Sequence, residues 1–138
     1  PRLSPDNSTI CWIEWQHPNM PWDNTQLWQA SVSGNNLTNR CLVAGENQDE
    51  AIFQPQWSPD NLLYFVSDSD NWWNICRLSE GHRETVLLMD AEFATPLWQL
   101  GASTYHFIDN QTIGCGVNRQ TDYCHYGIIR MKDMIMAM

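Results

Sequence analysis

The stretch Pro55-Gln56-Trp57-Ser58-Pro59-Asp60-Asn61 repeats Pro1-Arg2-Leu3-Ser4-Pro5-Asp6-Asn7 with five of seven residues identical. A fainter copy, Phe93-Ala94-Thr95-Pro96-Leu97-Trp98, echoes Phe53-Gln54-Pro55-Gln56-Trp57. The prolines at positions 1, 55 and 96 stand 54 and 41 residues apart, close to the ~40–50 residues of one four-stranded propeller blade. In the two clear copies Pro presets φ, and Asp and Asn tolerate tight-turn geometry. An apolar run follows each: Ile10-Cys11-Trp12-Ile13-Glu14-Trp15 and Leu62-Leu63-Tyr64-Phe65-Val66. Runs of this length, rich in β-branched and aromatic residues and bounded by turn signals, read as buried strands.

Outward from the repeat the same order recurs. Gln26 to Val32 and Trp73 to Leu78 alternate polar and apolar residues, as half-exposed strands do. Polar turns at Ser33-Gly34-Asn35-Asn36 and Glu80-Gly81-His82-Arg83 lead to short fourth strands, Arg40 to Val43 and Thr85 to Leu88. Beyond the third copy, Ser103 to Ile108, Thr112 to Val117 and Tyr126 to Met131 read as strands, and Lys132 to Met138 shows no closing strand. The expected fold is all-β: a partial β-propeller of about three four-stranded antiparallel blades, over 1–52, 53–93 and 94–138, with the terminal blades incomplete. Propellers protect their sheet edges by closing a ring, so three blades predict a piece of a larger protein with two uncovered blade faces.

Composition narrows the function. Seven Lys and Arg against 16 Asp and Glu give a formal charge of −9, the wrong sign for gripping a nucleic-acid backbone. No apolar run approaches the roughly 20 residues that span a bilayer, so no membrane partner is expected. Cys11, Cys41, Cys76, Cys115 and Cys124 are odd in number and never spaced C-x-x-C, which predicts free buried thiols in a reducing, cytoplasmic setting. Cys115, Cys124 and His125 are not expected to meet at a metal, and Asp68, Asp70 and Asp90 lack calcium-loop spacing. No cofactor is expected. Asn7, Asn36 and Asn110 head glycosylation-type triplets that carry no weight in an Asn-rich chain.

The Ser-Pro-Asp-Asn turn followed by an apolar strand resembles propeller repeats of the TolB type and of the prolyl oligopeptidase family. More specific is Trp12-Ile13-Glu14-Trp15-Gln16-His17-Pro18-Asn19-Met20-Pro21-Trp22-Asp23-Asn24-Thr25-Gln26-Leu27-Trp28. It is similar to the propeller of acylaminoacyl-peptidase and dipeptidyl-aminopeptidase-like members of that family, and the likeness continues through Ile52 to Asp60, Leu63 to Asp68, Trp72-Trp73-Asn74 and Ala91-Glu92-Phe93. Asn7 and Asn61 replace the family's usual Gly, a mild departure because Asn also visits left-handed conformations. The resemblance implies a propeller capping an α/β-hydrolase domain with a Ser-Asp-His triad and restricting entry to short peptides. That hydrolase domain and the peptide substrates are the implied partners.

No catalytic residue carries over. The nucleophile elbow G-x-S-x-G is absent, and Gly101-Ala102-Ser103-Thr104-Tyr105 lacks its final Gly. The chain alone is therefore expected to have no activity. The candidate substrate-access residues are His17, Asn19, Trp22 and Asp23, in a loop expected to project from one propeller face, together with Glu92. The bland reading of that loop is that its Pro and Trp residues pack it onto its own blade. Asp49, Glu50, Asp90 and Glu92 lie where the chain crosses between blades; a carboxylate there could hold a peptide amino terminus, although solvated loop acids are the expected role. Two other roles fit the sequence: a TolB-like protein-interaction module, and self-association of two or more copies through uncovered blade faces.

Overall fold

The computed structural model describes residues 1–46, 49–97, 101–119, 122–132 and 135–137. Among the described residues, twelve strands form three four-stranded antiparallel sheets. Sheet 1 holds β1 (Arg2–Leu3), β2 (Thr9–Glu14), β3 (Gln26–Ser33) and β4 (Asn36–Ala44). Sheet 2 holds β5 (Ile52–Trp57), β6 (Leu63–Ser67), β7 (Asn74–Ser79) and β8 (His82–Thr85), and sheet 3 holds β9 (Tyr105–Asp109), β10 (Thr112–Arg119), β11 (Asp122–Arg130) and β12 (Ile135–Ala137). In each sheet spatial order follows chain order, the up-and-down layout of a propeller blade.

The repeated turns show why the sequence repeats. Ser4 and Ser58 are both buried, and each hydroxyl donates to the Asp two residues on, at 2.6 Å. Asn7 and Asn61 donate N–H back to the carbonyls of Ser4 and Ser58 with φ of 61° and 65°, the left-handed conformation that Asn accepts at low cost. The two copies also touch. Asp6 N–H donates to Asn61 Oδ1 at 3.1 Å, and Trp57 Nε1 donates to the Arg2 carbonyl at 3.0 Å, so successive repeats lie side by side.

Strand alternation sends one set of side chains forward and the other back. Cys11, Ile13 and Leu27 of sheet 1 meet Ile52, Leu63, Phe65 and Cys76 of sheet 2 in one core. Phe53, Tyr64, Val66 and Ile75 on the other face of sheet 2 meet Tyr105, Ile113, Cys115, Val117 and Ile129 of sheet 3 in a second core. Each inter-sheet layer is thus a sandwich of two buried faces. The Tyr64 and Phe107 rings meet edge-on at 4.9 Å across the second core.

Sheet 3 departs from expectation. It is a full four-stranded sheet, because β12 pairs with β11 through Ile128–Ala137, Ile129–Met136 and Arg130–Ile135. Its innermost strand is β9. Glu92 forms a two-hydrogen-bond bridge with Asn118 at the end of β10, just as Ala51 pairs with Asp68 at the end of β6. Phe93 therefore stands where Ile52 stands in sheet 2. The chain then leaves the sheet and returns as β9 at Tyr105, so Phe93 to Leu97 does not form the strand that its likeness to Phe53 to Trp57 suggests. Trp98 lies outside the described residues. The fourth strand of sheet 2 is also displaced, running His82–Thr85 instead of Thr85 to Leu88. Glu80 and Gly81, with φ of 50° and 78°, make a two-residue hairpin turn of the twist that suits paired strands. Cys41 is exposed, unlike the buried Cys11, Cys76 and Cys115, and all four are free thiols; the side chain of Cys124 lies outside the description.

Candidate functional site

The alternation of strand directions puts the β2–β3, β4–β5, β6–β7 and β8–β9 connections on one face of the propeller, opposite the Ser-Pro-Asp-Asn turns. All five candidate residues fall on that connecting face. His17, Asn19, Trp22 and Asp23 share the β2–β3 loop, which contains a cis His17–Pro18 bond. The loop is built from two tight turns. Asn19 N–H donates to the Gln16 carbonyl, Asp23 N–H to the Met20 carbonyl, and Met20 N–H to Asp23 Oδ2 at 2.9 Å. Asp23 therefore commits one carboxylate oxygen to holding its own turn.

The loop is anchored at its end. Thr25 is fully buried, donates N–H to the Glu50 carbonyl and accepts the Ile52 N–H on Oγ1 at 2.5 Å. Pro21 is buried and Trp22 half-buried, whereas His17, Met20 and Asp23 are exposed. Packing on its own blade and projection of a polar rim are both present in one loop. Beneath the rim is a polar cleft of about 240 Å³ lined by residues including Trp15, Asn19, Asn24 and Glu46. Asn24 Oδ1 is buried there without a hydrogen-bond partner.

Glu92 does not join this group. It stands one blade crossing away, beside a separate cleft of about 220 Å³ with Phe93, Thr104 and Tyr126, and its Oε2 accepts the Trp73 N–H at 2.9 Å. Glu50 departs further from the sequence reading, since it is buried rather than solvated. Its Oε1 accepts the Ser67 hydroxyl and pairs with Arg83 Nη1, both at 2.5 Å, and its Oε2 accepts the Gly45 N–H at 3.1 Å. Arg83 also reaches Ser67 and Ser69. A buried carboxylate is stable only when paired and hydrogen-bonded, and Glu50 is both, so it latches the crossing from sheet 1 to sheet 2. Nearby, burial pushes the Asp68 carboxyl above the ordinary carboxylate range, against the lowering effect of the Ala51 N–H it accepts, and the charges of Glu50 and Glu92 add to the rise.

Sequence reasoning missed a second feature, a largely apolar cleft of about 400 Å³ on the inner side of the sheets, bounded by Arg2, Trp12, Trp15, Pro55 and Leu97. Its floor is organised by Gln54, a buried residue at a β-bulge with φ of 46°. Gln54 Nε2 donates to Ser103 Oγ at 2.9 Å and the Tyr105 carbonyl at 2.7 Å, Oε1 accepts the Thr104 N–H at 2.7 Å, and the Gln54 carbonyl accepts the Tyr105 hydroxyl at 2.9 Å. One glutamine thus ties sheet 2 to the segment entering sheet 3. No sequence signal marks it, because a bulge breaks the two-residue period on which strand reading depends. Among the described residues no group of three His, Cys, Asp or Glu side chains converges on a metal position.

These sheets, their order and their repeated turns define a β-propeller segment. No family model matches the chain, and no curated protein matches it. Solved structures do. A puromycin hydrolase mutant complexed with PGG matches 99% of this chain at 31% identity with a TM-score of 0.90, and a mycobacterium tuberculosis puromycin-hydrolyzing peptidase matches 99% at 28% with a TM-score of 0.89. TolB from Acinetobacter baumannii matches 97% at 13% identity with a TM-score of 0.62, a likeness of fold alone. The chain spans 21% of the length of the puromycin hydrolases and 30% of TolB. Over nearly its whole length the chain is similar to a propeller segment of those hydrolases, a likeness consistent with the resemblance to the prolyl oligopeptidase family.

Proposed function

We propose that this chain is the part of a prolyl-oligopeptidase-like serine peptidase that caps an α/β-hydrolase active site and restricts access to it. The observation that carries this reading is the match over 99% of the chain to the propeller of a puromycin hydrolase, of whose length it is only 21%. The hydrolase domain is then an intramolecular partner, and short peptides or aminoacyl compounds are the substrates. The blade units 1–52, 53–93 and 94–138 serve as scaffold. The connecting face, with His17, Asn19, Trp22, Asp23 and Glu92, is the side that borders the entry route. The free thiols at Cys11, Cys41, Cys76 and Cys115 support a reducing, cytoplasmic location.

The test is made on the peptidase polypeptide that carries this propeller. Trp22→Ala is expected to shift the ratio of kcat/KM between a short and a long peptide by several-fold with stability unchanged. The chain alone is expected to turn over neither. Turnover by the chain alone, or an unchanged length preference in the variant, contradicts the proposal.

A further inference from the structure

The two layers between sheets are filled differently at their turn ends. The Ser4 and Ser58 N–H groups donate to the carbonyls of Thr9 and Leu62, both at 2.8 Å, so Thr9 stands in sheet 1 where Leu62 stands in sheet 2. By the same register Cys11 matches Tyr64, and on the next strand Gln29 matches Arg77. In sheet 3 the Glu92–Asn118 bridge sets the count, and Phe107 takes the place of Trp57. The layer between sheets 2 and 3 is closed at this corner, since Leu62 and Phe107 pack on its core and the Tyr64 and Phe107 rings meet edge-on. Between sheets 1 and 2 the matching positions of the first sheet carry Thr9, Cys11 and Gln29, each smaller than its counterpart. A cleft of about 220 Å³ is left there.

The walls of this cleft differ in chemistry. Sheet 2 supplies the Trp57 indole, fixed by its bond from Nε1 to the Arg2 carbonyl at 3.0 Å. Sheet 1 supplies Thr9, Gln29, Ser31 and Asn39, and Asn61 of the repeated turn adds a third amide. No charged side chain lines it. A bulge aims Asn39 into the cleft: Gln29 pairs with Cys41 and Ser31 with Thr38, so Asn39 and Arg40 together oppose Ala30. Arg40 goes to the other face, over Trp28, while Asn39, with φ of 52°, turns its Nδ2 toward Ser31 Oγ at 3.5 Å. These amides are underused. Gln29 Nε2 meets only the Cys41 sulfur, at 3.4 Å, and among the described residues no hydrogen bond engages Gln29 Oε1 or Asn61 Nδ2.

We propose that this cleft binds a neutral polyhydroxylated ring, a single hexose unit with its C–H face on Trp57 and its hydroxyls on the amides of Gln29, Asn39 and Asn61. Each sugar hydroxyl both donates and accepts, and so does each amide. With no charged side chain in its lining, the cleft offers neither an anion nor a cation the partner that a desolvated charge needs. A phenol, with one hydroxyl, would strip water from the amides without replacing it. At ~30 Å³ per water the cleft of about 220 Å³ holds about seven waters, room for one ring and not for a chain of them. Both walls lie within residues 9–78, and the inference rests on this cleft and not on the peptidase reading.

The test titrates glucose, galactose and mannose in turn into the polypeptide that carries this propeller and follows saturation-transfer difference NMR, which reads the sugar's own signals. At least one is expected to bind with a Kd in the millimolar range. Thr9→Leu combined with Gln29→Arg installs the residues of the next layer and is expected to abolish binding. Asn39→Gly removes one amide while giving the positive φ to the residue that best accepts it, so binding is expected to weaken about five-fold or more with no fall in Tm. Equal binding of the matching methyl glycoside identifies the end of a glycan as the ligand, and weaker binding the free sugar; both uphold the site. Absence of binding by all three sugars at tens of millimolar overturns the proposal. So does tighter binding of p-cresol, or sugar binding that neither variant changes.

Discussion

Gln54→Ala is expected to destabilise the chain by about 2–4 kcal/mol. The substitution leaves the Tyr105 carbonyl and the Thr104 N–H without the partners they have at 2.7 Å. Tyr105 is 1% exposed and its carbonyl keeps only the longer bond from the Ser103 hydroxyl, at 3.2 Å, so water cannot replace Gln54 there, and each group left short of a partner costs ~1–3 kcal/mol. The bond to Ser103 adds little, since that residue is exposed. The backbone supplies an internal control. Gln54 holds φ at 46°, a conformation that costs a residue with a Cβ roughly 1 kcal/mol relative to Gly. Gln54→Gly loses the same hydrogen bonds but relieves that strain, so it should be about 1 kcal/mol less damaging than Gln54→Ala. Urea unfolding followed by tryptophan fluorescence reads both values. At this length ~3 kcal/mol corresponds to roughly 10 °C in Tm. A loss under ~1 kcal/mol for Gln54→Ala refutes the clamp; Gly proving worse than Ala refutes the backbone half of the reasoning.

Two further outcomes follow from the ionisable groups. Asp68 has its folded-state pKa raised above 3.8, chiefly by burial, so the stability it contributes is full below 3.8 and is lost as pH rises through the folded value. At pH ~7 its ionised form is a net cost. Asp68→Asn keeps an acceptor oxygen for the Ala51 N–H, and should be more stable than the parent near neutrality, with the gain shrinking below pH ~4; a pH-independent difference contradicts this. Burial pushes the Cys11 and Cys115 thiols up to about 11, which leaves ~0.1% thiolate at pH ~8. Iodoacetamide should mark exposed Cys41 and spare Cys11, Cys76 and Cys115 in the folded chain, and prompt labelling of Cys11 or Cys115 by peptide mapping would count against the burial described.

Sheets 1 and 2, apart from the displaced fourth strand of sheet 2, were legible because their punctuation is chemical. Ser-Pro-Asp-Asn can be read as a turn from its residue types, and the buried Ser hydroxyls and left-handed Asn residues show the types serving that purpose. Sheet 3 was misread for a physical reason. Its innermost strand is broken: the chain makes the Glu92–Asn118 bridge, leaves after Phe93, and resumes pairing at Tyr105. A likeness in residue type between Phe93 to Leu97 and Phe53 to Trp57 cannot show whether the backbone stays in the ladder. The sequence reading has three strands after the third copy and no closing strand in Lys132 to Met138, because a three-residue strand in a Met-rich tail carries no turn signal before it, and so β12 had no place in it.

The placement of the candidate residues was legible and their contacts were not. Loop length and the order of strands are enough to put His17, Asn19, Trp22, Asp23 and Glu92 on one propeller face, since antiparallel neighbours must return at alternate ends. Which crossing acid remains able to meet a ligand depends on partners tens of residues away. Glu50 has both oxygens taken, by Ser67, Arg83 and Gly45, and its partner Arg83 sits in a stretch that reads as a solvated turn. An ammonium group could displace that pairing only by leaving Arg83 half-buried beside Phe65 without its counter-charge, a loss of several kcal/mol. Asp23 and Glu92 each commit one oxygen to a backbone N–H, at Met20 and Trp73, which fixes the carboxylate and leaves its second oxygen for a cation. On this face the acids with an oxygen to spare are therefore the partly engaged ones, and the most deeply buried acid among the described residues is the one committed to holding the blades together.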